Sequence, residues 1–86
     1  MNINELIIIV KKKIEKEISC DKIVIEDKTF LHKNHQNHSD NKFHIKIKIK
    51  SSYLQKLRKI DSTKMIYKIL DKELKEFIHS IQILID

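Results

Sequence analysis

Glycine, proline and tryptophan are absent from this chain of 86 residues, and cysteine occurs once. Without glycine there is no P-loop, no dinucleotide-binding glycine fingerprint and no nucleophile elbow. The lack of proline and glycine together excludes collagen-like and proline-rich classes. The one cysteine, Cys20, has no internal disulfide partner and cannot alone build a four-cysteine zinc site or a four-thiolate iron–sulfur site. Long hydrophobic runs are also missing. The longest, Leu6-Ile7-Ile8-Ile9-Val10, is about a quarter of the ~20 residues that a membrane span needs. Glu5 precedes it and Lys11-Lys12-Lys13 follows, the reverse of a secretory signal. The expectation is a soluble protein of a reducing cytoplasm with no membrane contact.

What the chain does have is charge and aliphatic bulk. Eighteen Lys+Arg stand against 12 Asp+Glu, a net charge of +6, and 41% of the residues are hydrophobic. That is too apolar for a disordered chain, and the length fits one domain over residues 1–86 with a small core.

Ile3, Leu6, Ile7, Val10, Ile14 and Ile18 recur at helical spacing, which predicts an amphipathic helix over roughly residues 4–18 with Asn4 as N-cap. Residues 22–27 read as a β-branched strand, and residues 28–42 as a long exposed loop. From Phe43 to Lys50, Phe43, Ile45, Ile47 and Ile49 alternate with His44, Lys46, Lys48 and Lys50. Period two puts the first set in the core and the second on an open, electropositive sheet face. Tyr53 to Lys59 forms a short helical turn. Ser62 or Thr63 caps a helix whose apolar face is Met65, Ile66, Ile69, Leu70, Leu74 and Phe77. A last strand alternates from His79, with Ile81, Ile83 and Ile85 on the same side. This order predicts an α+β domain, α-β-β-α-α-β, with a three-stranded mixed sheet and helices on one face.

Imidazoles suit Zn, Cu, Ni and Fe. His32, His35 and His38 fall in the polar loop and His44 opens a strand, either as solvated residues or as ligands that a loop can bend around an ion. His79 sits at a helix–strand junction, where it either caps the preceding helix or serves as a rigidly held ligand. Cys20 reads as a small apolar residue with no neighbouring base. Lys46, Lys48, Lys50, Lys56, Arg58, Lys59 and Lys64 form the candidate nucleic-acid surface. Specific readers usually add arginines or stacking aromatics, and here Arg58 is the one arginine.

Three blocks are similar to a known family. Asp27-Lys28-Thr29-Phe30-Leu31-His32 matches a D-E-S-x-x-H motif. His44-Ile45-Lys46-Ile47-Lys48-Ile49-Lys50-Ser51 matches H-F-K-V-x-I-V-S. Met65 to Leu74, followed by Ile78-His79-Ser80-Ile81, matches x-V-Y-x-x-L-x-x-E-L and I-H-A-L. With these blocks the chain resembles the BolA family from Ile23 onward, without a gap between His44 and Ile83. The resemblance implies a class II KH-like fold, no enzymatic activity, and a monothiol (CGFS-type) glutaredoxin as partner, with which a [2Fe–2S] cluster is shared. It maps the family's C-terminal histidine onto His79 and its loop histidine onto His32, with His35 and His44 as alternatives. A glutaredoxin cysteine and glutathione would complete the four ligands that such a cluster takes. The free protein is expected as a monomer or weak homodimer.

The function so implied is an adaptor in iron–sulfur cluster assembly or trafficking, or in iron and redox homeostasis. The alternative is a nucleic-acid-binding transcriptional regulator, which some family members are reported to be. Where the family commonly has R-H-R, this chain reads Ser62-Thr63-Lys64, and it lacks the G-x-x-G loop of KH-type nucleic-acid binding. His32 and His79 are retained. That difference favours the adaptor and leaves DNA as a weak partner.

Overall fold

A computed structural model describes residues 1–29 and 42–86. Helix α1 spans Ile3–Glu17. Its cap is Asn2 and not Asn4: the Asn2 side-chain oxygen accepts from the Glu5 amide at 2.9 Å, and its amide donates to the Glu5 carboxylate at 3.1 Å. The two bonds tie the cap to the first turn, and the Glu5 charge also suits the helix N-terminus. The helix ends where Ile18 turns extended and buries its side chain, so no glycine is needed.

Strands β1 (Lys22–Asp27) and β2 (Phe43–Lys50) fall where the β-branched runs predict them. They pair antiparallel, Lys22 opposite Lys50 and Asp27 opposite Ile45. Strand β3 (Ile78–Ile85) lies on the other side of β2 and runs parallel to it, giving the order β1-β2-β3. A parallel neighbour requires a crossover. It is made by α2 (Ser52–Gln55), α3 (Lys59–Ile69) and α4 (Asp71–Glu76). The fold is α+β with a three-stranded mixed sheet and helices on one face.

The predicted long helix is divided at Leu70, whose side chain is buried. Its start also differs from the expectation. Helix α3 begins after Arg58, three residues before Ser62, and has no side-chain cap. Ser62 is buried inside the helix, and its hydroxyl donates to the carbonyls of Leu54 at 3.0 Å and Arg58 at 3.4 Å. A hydroxyl so placed ties α3 to α2. The side chain that does cap is Ser51, whose oxygen accepts from the Leu54 amide while its hydroxyl donates to the Ser19 carbonyl.

Leu6, Val10 and Ile14 from α1, Ile18 just after it, Ile45, Ile47 and Ile49 from β2, and Ile66 and Leu70 from the crossover lie in the core. Alternation in β2 delivers three isoleucines to that face. One ion pair braces the helical layer: Lys13 on α1 reaches the carboxylate of Glu73 on α4 at 2.7 and 2.9 Å, and Glu73 is only 3% exposed. No helix among the described residues is long and apolar enough to cross a membrane.

Candidate functional site

The site lies at one end of the sheet, where β1 ends and β2 and β3 begin. After Asp27 the chain turns sharply: the Asp27 carboxylate accepts from the Thr29 amide at 2.9 Å and from its hydroxyl. An aspartate holding the backbone two residues on is a local turn device that competes with strand pairing. The turn is pinned to β2, with the Lys28 amide bonded to the His44 carbonyl at 2.7 Å and the His44 amide to the Thr29 hydroxyl at 3.2 Å.

Across β2, the ladder with β3 slips. Phe43 faces Ile78, but His44 faces Ser80, so His79 is an extra residue on β3. Such a bulge re-aims side chains, and bulges are frequent beside functional sites. Ile78 turns inward at 3% exposed, whereas His79 and Ser80 are both exposed. His79 therefore does not share the side of Ile81, Ile83 and Ile85, as strict alternation predicts. Its ring stands against that of His44, with centroids 4.8 Å apart and planes tilted by 44°. His44 also departs from the expectation of a water-facing residue. It is 8% exposed, and its Nδ1 is hydrogen-bonded to the Ser80 hydroxyl at 2.5 Å. A cleft of about 330 Å³ opens beside the pair, lined by Lys28, His44, Lys46, Ser80 and Gln82 among others.

The structure thus joins His79 to His44, and His79 is the accessible ring of the two. His32, His35 and His38 lie outside the described residues. Among the described residues no group of three or more His, Cys, Asp or Glu side chains is placed to hold a metal ion.

Cys20 sits near the opposite end of the sheet, next to Asp21, whose amide bonds the Lys50 carbonyl. The thiol is directed at the Ile18 carbonyl at 3.5 Å, and its pKa is pushed up by burial and then by the charges of Glu15 and Asp21. A raised pKa is the reverse of what a nucleophile or a thiolate ligand requires.

The basic residues divide into two groups. Lys46, Lys48 and Lys50 share the open face with Lys22, Val24, Glu26, Gln82 and Leu84. Glu26, which the strand pattern of β2 alone does not reveal, pairs with Lys48 at 3.6 Å and with Lys28 at 3.7 Å. Lys56, Arg58, Lys59 and Lys64 are exposed and belong to the crossover, where Arg58 is paired with Asp61 at 2.8 Å. Lys48 and Lys59 border a common cleft with Asp86.

The family described as BolA-like protein matches residues 14–85, and the chain belongs to that family. No curated protein sequence matches it. Among solved structures it is similar to the BolA domain of SufE1 from Arabidopsis thaliana, at 25% identity and a TM-score of 0.77. That match covers 92% of this chain and 87% of the other. BolA1 from Arabidopsis thaliana is also 25% identical, with a TM-score of 0.73 over 88% of this chain and 83% of the other. BolA1 from Mus musculus, at 16% identity, shares the fold with a TM-score of 0.69 over 87% of this chain and 58% of that one.

Proposed function

We propose that this chain is a non-enzymatic adaptor that binds a monothiol (CGFS-type) glutaredoxin and shares a [2Fe–2S] cluster with it, in iron–sulfur cluster trafficking or iron and redox homeostasis in the cytoplasm. The observation that carries the reading is the bulge that turns His79 outward against His44 at the rim of the sheet. His79 supplies one nitrogen ligand. His32 supplies the other, three residues after the Thr29 that is bonded to His44. The glutaredoxin cysteine and glutathione supply two thiolates. The cluster is cargo, held between two proteins neither of which completes its ligand set. Neutral imidazoles in place of thiolates make it less negative and raise its potential, as in Rieske centres.

The test is to mix the chain with a monothiol glutaredoxin, glutathione, iron and sulfide, and to compare the visible spectrum with that of glutaredoxin alone. A new charge-transfer spectrum that co-purifies with both proteins supports the reading. A spectrum identical to that of glutaredoxin alone contradicts it.

The nucleic-acid alternative draws on exposed Lys50, Lys56, Lys59 and Lys64. The pairing of Lys48 with Glu26 and of Arg58 with Asp61 lowers the free charge of both groups. DNA binding is then weak, without sequence preference, and lost between about 50 and 200 mM salt, where counterion release dominates. A salt-tolerant, sequence-selective footprint would favour the regulator.

A further inference from the structure

We infer that Ser80 is a positioning residue: through the His44 ring it holds the His79 imidazole in one orientation at the rim of the sheet. The inference rests on the proposed role of His79 only for its functional meaning.

An exposed imidazole at the end of a strand would ordinarily sample several rotamers, and a ligand that must be ordered on binding loses that freedom. The register around His79 restricts it. Because the bulge removes one step of alternation, His79 and Ser80 both stand outward, and His44 meets both. Ser80 lies opposite His44 in the ladder, and its hydroxyl engages Nδ1 at 2.5 Å. The other side of the contact is the His79 ring, at 4.8 Å between centroids. His44 is itself 8% exposed, and its backbone is fixed by the Thr29 hydroxyl and the Lys28 amide. It is a rigid flank, and the Ser80 hydroxyl sets how its ring is turned.

A merely structural role for Ser80, filling the hydrogen-bonding capacity of a buried ring, would change stability and nothing else. The two roles separate in Ser80→Ala and Ser80→Thr, the second keeping the hydroxyl on a β-branched residue suited to a strand. In the isolated chain, at one fixed and mildly alkaline pH, long-range proton–nitrogen spectra of the imidazoles are the first readout. The native chain should show one set of His44 signals and His79 signals displaced by the neighbouring ring. Ser80→Ala should keep its circular dichroism, shift the His44 signals and move the His79 signals toward free-histidine values, and Ser80→Thr should restore both. In the glutaredoxin complex, release of iron to a chelator should be on the order of tenfold faster for Ser80→Ala and near native for Ser80→Thr. Unchanged His44 and His79 signals in a folded Ser80→Ala chain would overturn the inference. So would altered signals with unchanged chelator release. If the native complex holds no cluster, the proposed function fails, and the imidazole spectra alone decide whether Ser80 orients His79.

Discussion

His79 stands beside His44 because the β2–β3 ladder slips by one residue, so that Phe43 faces Ile78 while His44 faces Ser80. The two rings share one end of the sheet but differ in burial, since His44 is 8% exposed and His79 lies open. His44→Ala should therefore cost about 2 kcal/mol, the range for losing a packed, hydrogen-bonded side chain. His79→Ala should change stability by no more than about 0.5 kcal/mol. Urea unfolding of the two variants checks this, and equal losses would contradict the assignment of burial.

Ile47 and Lys48 test the two faces of β2. Ile47 is fully buried, and Lys48 faces solvent beside Glu26. Ile47→Lys should unfold the domain, because an unpaired buried charge costs several kcal/mol against about 5 to 15 of total stability. Lys48→Ile should remain folded with a small change in midpoint. Thermal melts followed by circular dichroism read both.

The bond between Lys13 and Glu73 predicts a coupling. Removing one partner of a buried pair costs about 3 to 5 kcal/mol. Lys13 is 39% exposed, so Lys13→Met should cost less, about 1 to 2 kcal/mol after allowance for solvent. Adding Glu73→Leu should recover part of the loss, since the uncompensated charge is then gone. A double-mutant cycle in urea measures it, and strict additivity would show that the pair contributes nothing.

The sheet was legible in the sequence wherever residue type alone decides structure. Strand β1 is a β-branched run, β2 alternates, and both have the predicted bounds. The caps were less legible, because Asn2 and Asn4 are both competent and only the bond to Glu5 separates them. Ser62 looked like a cap, but its hydroxyl is used inside the helical layer by a carbonyl of α2. The bulge carried a signal that strict period-two reading passes over. Ile78 and Ile81 are three apart, with two polar residues between them, whereas Ile81, Ile83 and Ile85 are two apart. The burial of His44 and the pairing of Lys13 with Glu73 join residues distant in sequence, and no local pattern encodes them. His32 and His35 fall outside the described residues.

Cys20 should react slowly. Burial, Glu15 and Asp21 raise its pKa above the ordinary thiol value, so little thiolate is present near neutral pH. Iodoacetamide should modify the folded chain more slowly than the urea-unfolded one. The folded thiol also holds its proton more tightly than the unfolded thiol. Its contribution to stability is therefore complete below the unfolded pKa and fades as pH rises through the folded one, on the alkaline side. An alkylation rate that does not change on unfolding would contradict the raised pKa.

The most direct measurement of the central claim is the cluster absorbance and chelator resistance of the glutaredoxin complex made with His79→Ala. His79 comes from a strand held at both neighbours, and the nearest imidazole, His44, is 8% exposed with its Nδ1 bonded to Ser80. The variant should stay folded by circular dichroism, because removing an exposed ring leaves no large cavity. The complex should lose its cluster at least about tenfold faster to a chelator, and His32→Ala should have a smaller effect. A folded His79→Ala chain that still forms a cluster with native absorbance and native chelator resistance would contradict the account.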